Sequence, residues 1–524
     1  MHTVAFDCTA LMIISFVLYM YWSLKQIYLF FEKLDIPFIT PNLLLGNMTD
    51  VVLLRKSLAE VYVDLYRQLE PHKFGGVFTP MKPVVIIRDP ELLKDVLIKN
   101  FALTNDRGFH IDSQVEPLSH NLFTMKGEEW KNLRIKLTGT FSSLKMKMMF
   151  PLVKSCGEKL DKVLAQIPPN KAFDIKEISA RYTTDVIGTC AFGLEINSLE
   201  NPNSEFRLIG KKAFQFRFKA LIRTLWMTMP TQLIQLFDLT FFDSKVQNFF
   251  SSLVYKTIQH REENNVTRDD FLDLLIALKT NTASQLLHDT KDGEDLKTFL
   301  DQVGDKGVKK DIKMTDELIA AQAFLFFAAG FETSSTTLSY ALLELALNQT
   351  IQHEVRQEIH RVFSTTDEHL SYEMLAQMPY TDMVISETLR KYPPSSLLFR
   401  KTCRNYKIPN TRITLPEDTS VIIPVYGLHL DEKYYPNPQE FRPERFTEEE
   451  KNKRPNYTYL PFGEGPRTCI ARRFAKMSIK IGLIYALKNA SYTVSPKMKF
   501  PVQFQINFGL LTARNKIWLQ RQPI

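Results

Sequence analysis

The chain has 524 residues, of which 44% are hydrophobic and 24% charged, with 66 basic side chains against 58 acidic ones. That length can bury a large core, and the balanced composition excludes fibrous, low-complexity and disordered classes. A formal charge of +8 suits an acidic partner or a membrane surface and argues against a dedicated nucleic-acid binder, and five cysteines are too few, and odd in number, for a disulfide scaffold.

In chain order, the first expected element is an anchor. Seventeen residues from Cys8 to Leu24 carry no charge, Asp7 precedes them, and Lys25 and Lys33 follow. The charge bias puts the C-terminal side in the cytosol, and Tyr19, Tyr21 and Trp22 fall where an interfacial aromatic belt lies. A cleaved signal peptide would need a basic start and a small-residue cleavage site, and neither is present. Residues 1–31 are therefore expected to form an uncleaved membrane anchor. Residues 32–46, stiffened by Pro37 and Pro41, are expected to be a linker, and 47–524 one catalytic domain.

Helical periodicity dominates the body, over 51–70, 125–150, 173–191, 205–226, 244–264, 315–348, 350–363, 380–391 and 469–488. Strands are expected at 84–89, at 419–426 and in the tail from Pro501 to Leu519, and a polar connection at 281–313. The expected fold class is mainly α with small β-sheets. No zinc spacing, dinucleotide fingerprint or phosphate loop occurs, so a nicotinamide would have to act through a partner.

Two segments carry chemistry. In the long helix after Thr315, the stretch AAGFETSSTT puts Leu325, Ala329 and Thr333 on one face. Gly330 weakens the helix there, and the Thr333 hydroxyl can bond back to the Ala329 carbonyl, which would leave a polar notch in an apolar wall. By itself this segment also reads as a packed core helix. Further on, PFGEGPRTCIARRFA sets a tight glycine turn (Gly463, Gly465) before Cys469, at the start of another helix. Helix amides and nearby Arg467 favour a thiolate. Alone, a buried structural cysteine fits equally well.

Taken together the motifs are less ambiguous. The loop Phe462, Gly465, Arg467, Cys469 resembles the haem loop of the cytochrome P-450 superfamily, with Ala471 in place of its last glycine. Wording such as GEEWKNLRIKLTGTF and MTDELIAAQAFLFFAAGFETSSTT is similar to the sixth family of insect microsomal P-450s. The resemblance implies a single-domain P-450 fold and haem b with Cys469 as its axial thiolate and iron ligand. Phe462, Gly465 and Ala329 would adjoin the haem, and Trp130, Arg134, Arg400 and Arg467 would contact its propionates. It also implies a buried cluster of Glu387, Arg390 and Arg445, and proton delivery for dioxygen activation by Thr333 and Glu332. Substrate contacts are expected between Phe109 and Phe123, around Phe214–Phe218, at Leu325 and Ala329, at Ser395–Leu398 and near Phe508–Leu511.

The implied activity is a monooxygenase of the endoplasmic reticulum membrane. It would insert one atom of O2 into a lipophilic substrate such as a xenobiotic, plant toxin, insecticide, lipid or hormone. NADPH would serve indirectly, through NADPH–cytochrome P-450 reductase and optionally cytochrome b5. Lys131, Arg134, Lys136, Arg472, Arg473, Lys476 and Lys480 are expected to offer that acidic partner a surface. The basic-aromatic segment Lys211–Trp226 is expected to dip toward the bilayer and not to bind nucleic acid. The alternatives are a P-450-like isomerase or dehydratase, or a non-enzymatic haem sensor or lipophile carrier.

Overall fold

The computed structural model describes residues 21–80, 82–109, 111–215, 239–279, 312–364, 369–506 and 509–523, with residues 14, 15, 18, 19, 222, 236, 237, 299 and 303. In chain order the main elements are α1 (Leu58–Gln68), β1 (Phe74–Thr79), β2 (Lys82–Ile87), α2 (Gly127–Thr138), α3 (Ser143–Ala165), β3 (Ala172–Asp174), α4 (Ile175–Phe192), α5 (Glu205–Ala213), α6 (Ser244–Asn264) and α7 (Phe271–Lys279). Then follow α8 (Asp316–Leu347), α9 (Gln349–Phe363), α10 (Pro379–Lys391), β4 (Leu398–Lys401), β5 (Tyr406–Lys407), β6 (Thr414–Leu415), β7 (Ser420–Ile423), α11 (Val425–His429), α12 (Arg472–Leu487), β8 (Ala490–Val494) and β9 (Trp518–Pro523). The chain is mainly helical with small sheets, as its periodicity predicts.

Side-chain caps decide where several helices begin. Ser57 and Glu60 form a capping box on α1, and Ser142, Asp174, Asp243 and Thr315 each accept a hydrogen bond from the first turn of α3, α4, α6 and α8. Ser142 is why the expected helix over 125–150 is two helices. The second runs through Pro151 to Ala165, because Val153, Cys156, Leu160 and Leu164 are buried along it. Tertiary burial overrides the local cost of the proline.

A four-stranded sheet has the order β1-β2-β7-β4, and a three-stranded one the order β3-β9-β8. Strand β1 escapes the sequence reading because it carries Gly75 and Gly76. A side chain at Gly76 would collide with the ring of Phe31, which is fully buried there. In the tail expected to be a strand from Pro501 to Leu519, a strand forms among the described residues only from Trp518 onward.

Helix α8 crosses the middle of the body and is buried on nearly all sides, against α4, α6 and α12. Among the described residues it alone is long and apolar enough to cross a membrane, and here it is the core helix. Most of the expected anchor over 1–31 lies outside the described residues, so an anchor is not shown. The described part is helical at 18–19 and 21–28, with Leu18, Tyr19, Tyr21 and Trp22 exposed. Most of Lys211–Trp226, Phe216 to Phe218, Phe508 and nearly all of 281–313 also fall outside.

Candidate functional site

A cavity of about 530 Å³ lies between α8 and the loop that precedes α12. Its lower wall is that loop. Gly463 and Gly465 have φ of +71° and +72°, which glycine adopts without strain. The Gly463 N–H donates to the Leu460 carbonyl at 3.0 Å, and the Cys469 N–H to the Phe462 carbonyl at 2.8 Å. These bonds turn the chain so that the Cys469 sulfur, deep in the protein, is accessible from the cavity. Helix α12 starts at Arg472, three residues past the cysteine.

Burial raises the Cys469 thiol above its ordinary range, while the Ala471 backbone and the charges of Arg134, Arg107 and Arg472 oppose the shift. Desolvation is the larger effect. Arg467, expected to favour the thiolate, is engaged elsewhere. Its Nε donates to Asn105 O at 3.1 Å, Nη1 to Leu122 O at 3.3 Å and Nη2 to Met125 O at 2.8 Å. Its guanidinium also lies 4.0 Å from the centre of the Trp130 ring.

Four guanidiniums, those of Arg107, Arg134, Arg400 and Arg467, open onto this cavity. Burial, then the charges of Arg107 and Arg400, pushes Arg467 down to about 7; burial, then Arg400 and Arg134, pushes Arg107 down to about 9; burial pushes Arg400 down to about 10. A guanidinium does not give up its proton in a protein, so these shifts express an unmet demand for negative charge. Arg400 Nε finds no hydrogen-bond partner among the described residues. A planar group with a metal for the sulfur and carboxylates for the arginines matches this donor set.

The opposite wall is α8, contributing Leu325, Ala328, Ala329, Gly330 and Thr333. The Thr333 hydroxyl donates back to the Ala329 carbonyl, which makes the notch expected from the sequence. Gly330 has a second reason to be glycine: any side chain there would strike Ile187 of α4. Glu332 does not line the cavity. Burial raises its carboxyl, and Lys176 and Arg207 on its flank oppose the rise.

Trp130, Arg134, Arg400, Phe462, Arg467, Cys469, Ala329 and Thr333 are thus brought together. Gly465 is not; its bare α-carbon faces the Leu97 carbonyl, which a side chain would overlap. Glu387, Arg390 and Arg445 form a buried cluster below. Arg390 donates to both Glu387 oxygens at 2.7 and 2.8 Å, and Arg445 Nε lies 3.4 Å from Glu387 Oε1. The expected docking surface shrinks: Lys131 and Lys480 are buried, and Arg472 and Arg473 are exposed. Lys480 spends its ammonium on Leu375 O, Met378 O and Asp382.

Three contributors escaped the sequence reading. Arg107 donates to Phe123 O at 2.8 Å and to Arg467 O at 3.3 Å, and Phe241 and Phe399 line the cavity beside the expected Phe123 and Phe214. Phe109 stands behind them, 5.4, 5.7 and 6.4 Å from the rings of Phe123, Phe399 and Phe241. No motif marks Arg107, which follows Asp106 directly in NDRG.

A family model described as Cytochrome P450 matches residues 36–520. Cytochrome P450 6k1 of Blattella germanica is 39% identical over 506 residues, covering 95% of this chain and 94% of its own. Cytochrome P450 6A1 of Musca domestica is 36% identical over 525 residues (97% and 98%), and probable cytochrome P450 6a23 of Drosophila melanogaster 38% over 501 (94% and 95%). The resemblance to the sixth insect family is borne out by these relatives.

Proposed function

Because the chain belongs to the cytochrome P450 family, and so is a monooxygenase carrying haem on a cysteine thiolate, we propose that Cys469 is that thiolate and that the cavity above it takes both haem and a lipophilic substrate. The observation that carries this reading is that the Cys469 sulfur, the Thr333 notch and four arginines all open into one space. Bound there, the haem supplies the iron at which dioxygen is reduced and split.

The chain's own residues do the rest. Arg107, Arg134, Arg400 and Arg467 would hold the propionates by charge and by the N–H groups they do not already give to backbone carbonyls. Trp130, Phe462 and Ala329, which line the cavity, would border the ring. Phe123, Phe214, Phe241 and Phe399 exclude water and favour an apolar substrate. The Thr333 hydroxyl moves a proton into the notch; its present bond to Ala329 O holds it there in the meantime. Glu332 supplies protons from the flank by turning from Lys176 and Arg207 toward Thr333.

Electrons come from NADPH through a flavoprotein reductase, optionally with cytochrome b5, docked over exposed Arg472 and Arg473. The balance is substrate C–H, O2, NADPH and a proton giving C–OH, water and NADP+. Residues 1–31 anchor the chain in the endoplasmic reticulum membrane; the uncharged run and the exposed Leu18, Tyr19, Tyr21 and Trp22 support this. The test is haem-loaded protein with reductase, NADPH and a panel of lipophilic compounds. Hydroxylated product formed with matching NADPH consumption is expected. Rearranged product without NADPH consumption, or binding without turnover, overturns the reading.

A further inference from the structure

His429, the last residue of α11, is wholly buried and touches neither the cavity nor the cysteine. Its ring nevertheless joins two parts of the site. The Leu460 N–H reaches Nε2 at 2.9 Å, and Nδ1 lies 3.2 Å from the Arg390 carbonyl. Since an N–H points at Nε2, that nitrogen is the acceptor, and the ring proton sits on Nδ1 and is donated to Arg390 O. The tautomer is fixed from both ends. Arg390 in turn donates from Nη1 to the His429 carbonyl at 3.0 Å, so the contact with the buried Glu387–Arg390 pair is reciprocal.

Leu460 opens the cysteine loop. Its carbonyl accepts the Gly463 N–H, the first bond of the turn that presents Cys469. Tyr459 stacks on the imidazole with centroids 5.4 Å apart, and its hydroxyl donates to Ser386 O at 3.0 Å, next to Glu387. From α10 to the turn there is thus a continuous run: Glu387, Arg390, His429, Leu460, Gly463.

We propose that His429 is a positioning residue for the cysteine loop, a neutral imidazole that transmits the register of the buried Glu387–Arg390 pair to Leu460 and so sets where the Cys469 sulfur stands. Without the Nε2 acceptor, the Leu460 N–H is buried and unpaired, and the loop can regain a partner for it only by shifting. Partners beyond the ligand itself tune a metal site in this way.

The inference rests on Cys469 being the ligand, and the experiment separates the two claims. Full-length His429→Gln, His429→Asn and Cys469→Ser are loaded with haem, reduced and treated with carbon monoxide, and haem transfer to an acceptor apoprotein is timed. Glutamine can place an oxygen near Nε2 and keep the Leu460 bond, whereas asparagine reaches only the Arg390 carbonyl. His429→Gln is expected to keep the red-shifted Soret band of thiolate ligation. His429→Asn is expected to lose much of it and release haem roughly tenfold faster. Loss of that band in Cys469→Ser, with both His429 variants like the parent, overturns this inference alone; its survival in Cys469→Ser overturns the ligand assignment. If His429→Asn does not accumulate, His429→Gln decides: a folded glutamine variant without the thiolate band overturns the proposal.

Discussion

On the cysteine side of the cavity, position is set by polar bonds to backbone. Residues 460–469 turn on their own hydrogen bonds, and Arg467 is held by three carbonyls from both ends of the 105–125 loop. On the α8 side the wall is apolar: Leu325, Ala328 and Ala329 face rings brought in by separate segments, Phe123, Phe214, Phe241 and Phe399. Hydrogen bonds specify direction and distance, while apolar contacts specify little beyond volume. The cysteine side is therefore expected to tolerate almost no change, and the aromatic side to accept many changes that alter which molecule fits.

The largest effect expected from that contrast is at the sulfur. Cys469→Ser should abolish the thiolate-type carbon monoxide band and turnover, while Cys403→Ser and Cys190→Ser, at cysteines that are not in the turn, should retain the band. A surviving band in Cys469→Ser would place the ligand elsewhere.

Next is Thr333, the polar group of the α8 wall that bonds back to Ala329 O. Thr333→Ala should consume NADPH within a few-fold of the parent but divert most of it to hydrogen peroxide. Proton delivery by a positioned group is worth about 10²–10⁴-fold, so the loss of product should far exceed the change in consumption. An unchanged ratio of product to NADPH in one assay would return Thr333 to packing.

Arg107 bridges the two sides, through Phe123 O and Arg467 O. Arg107→Ala should hasten haem loss by roughly tenfold, and Arg107→Lys should rescue it only in part, because an ammonium cannot make the fork. Parent-like haem transfer in Arg107→Ala would remove it from the propionate set.

The mildest change is expected on the rings. Phe399→Leu should shift substrate dissociation constants by roughly 10-fold, about what a small change in an apolar pocket is worth, and alter the site of hydroxylation. The carbon monoxide band should stay as in the parent. Loss of that band would show that the aromatic side also shapes the cysteine loop.

Acid stability sharpens the comparison on the cysteine side. Burial, then the charge of Arg390, pushes His429 down to about 3 from an ordinary 6.5. The unfolded chain therefore binds this proton first as pH falls. The neutral ring's contribution is complete above about 6.5 and is lost progressively down to about 3, at up to ~1.4 kcal/mol per pH unit. His429→Gln should flatten denaturant-measured stability over that window; an unaltered slope would mean that the ring is not held neutral.

Sequence by itself determined whatever is local along the chain. The cysteine loop is a contiguous run, so its turn glycines and cysteine are legible, and Glu387 with Arg390 is legible because i and i+3 share a helix face. The span of α8, its Thr315 cap and the Thr333 notch follow from periodicity and side-chain chemistry for the same reason. Tertiary structure alone decided what depends on a neighbour distant in sequence. It turned Glu332 to the flank, gave Gly465 to the Leu97 carbonyl, buried Lys131 and Lys480, and brought Arg107, Phe241 and Phe399 to the cavity. It also made His429 the link between α10 and the loop. A residue's type and spacing fix which bonds it can make, but which partner lies within 3 Å is fixed by packing, and packing is a property of the whole chain.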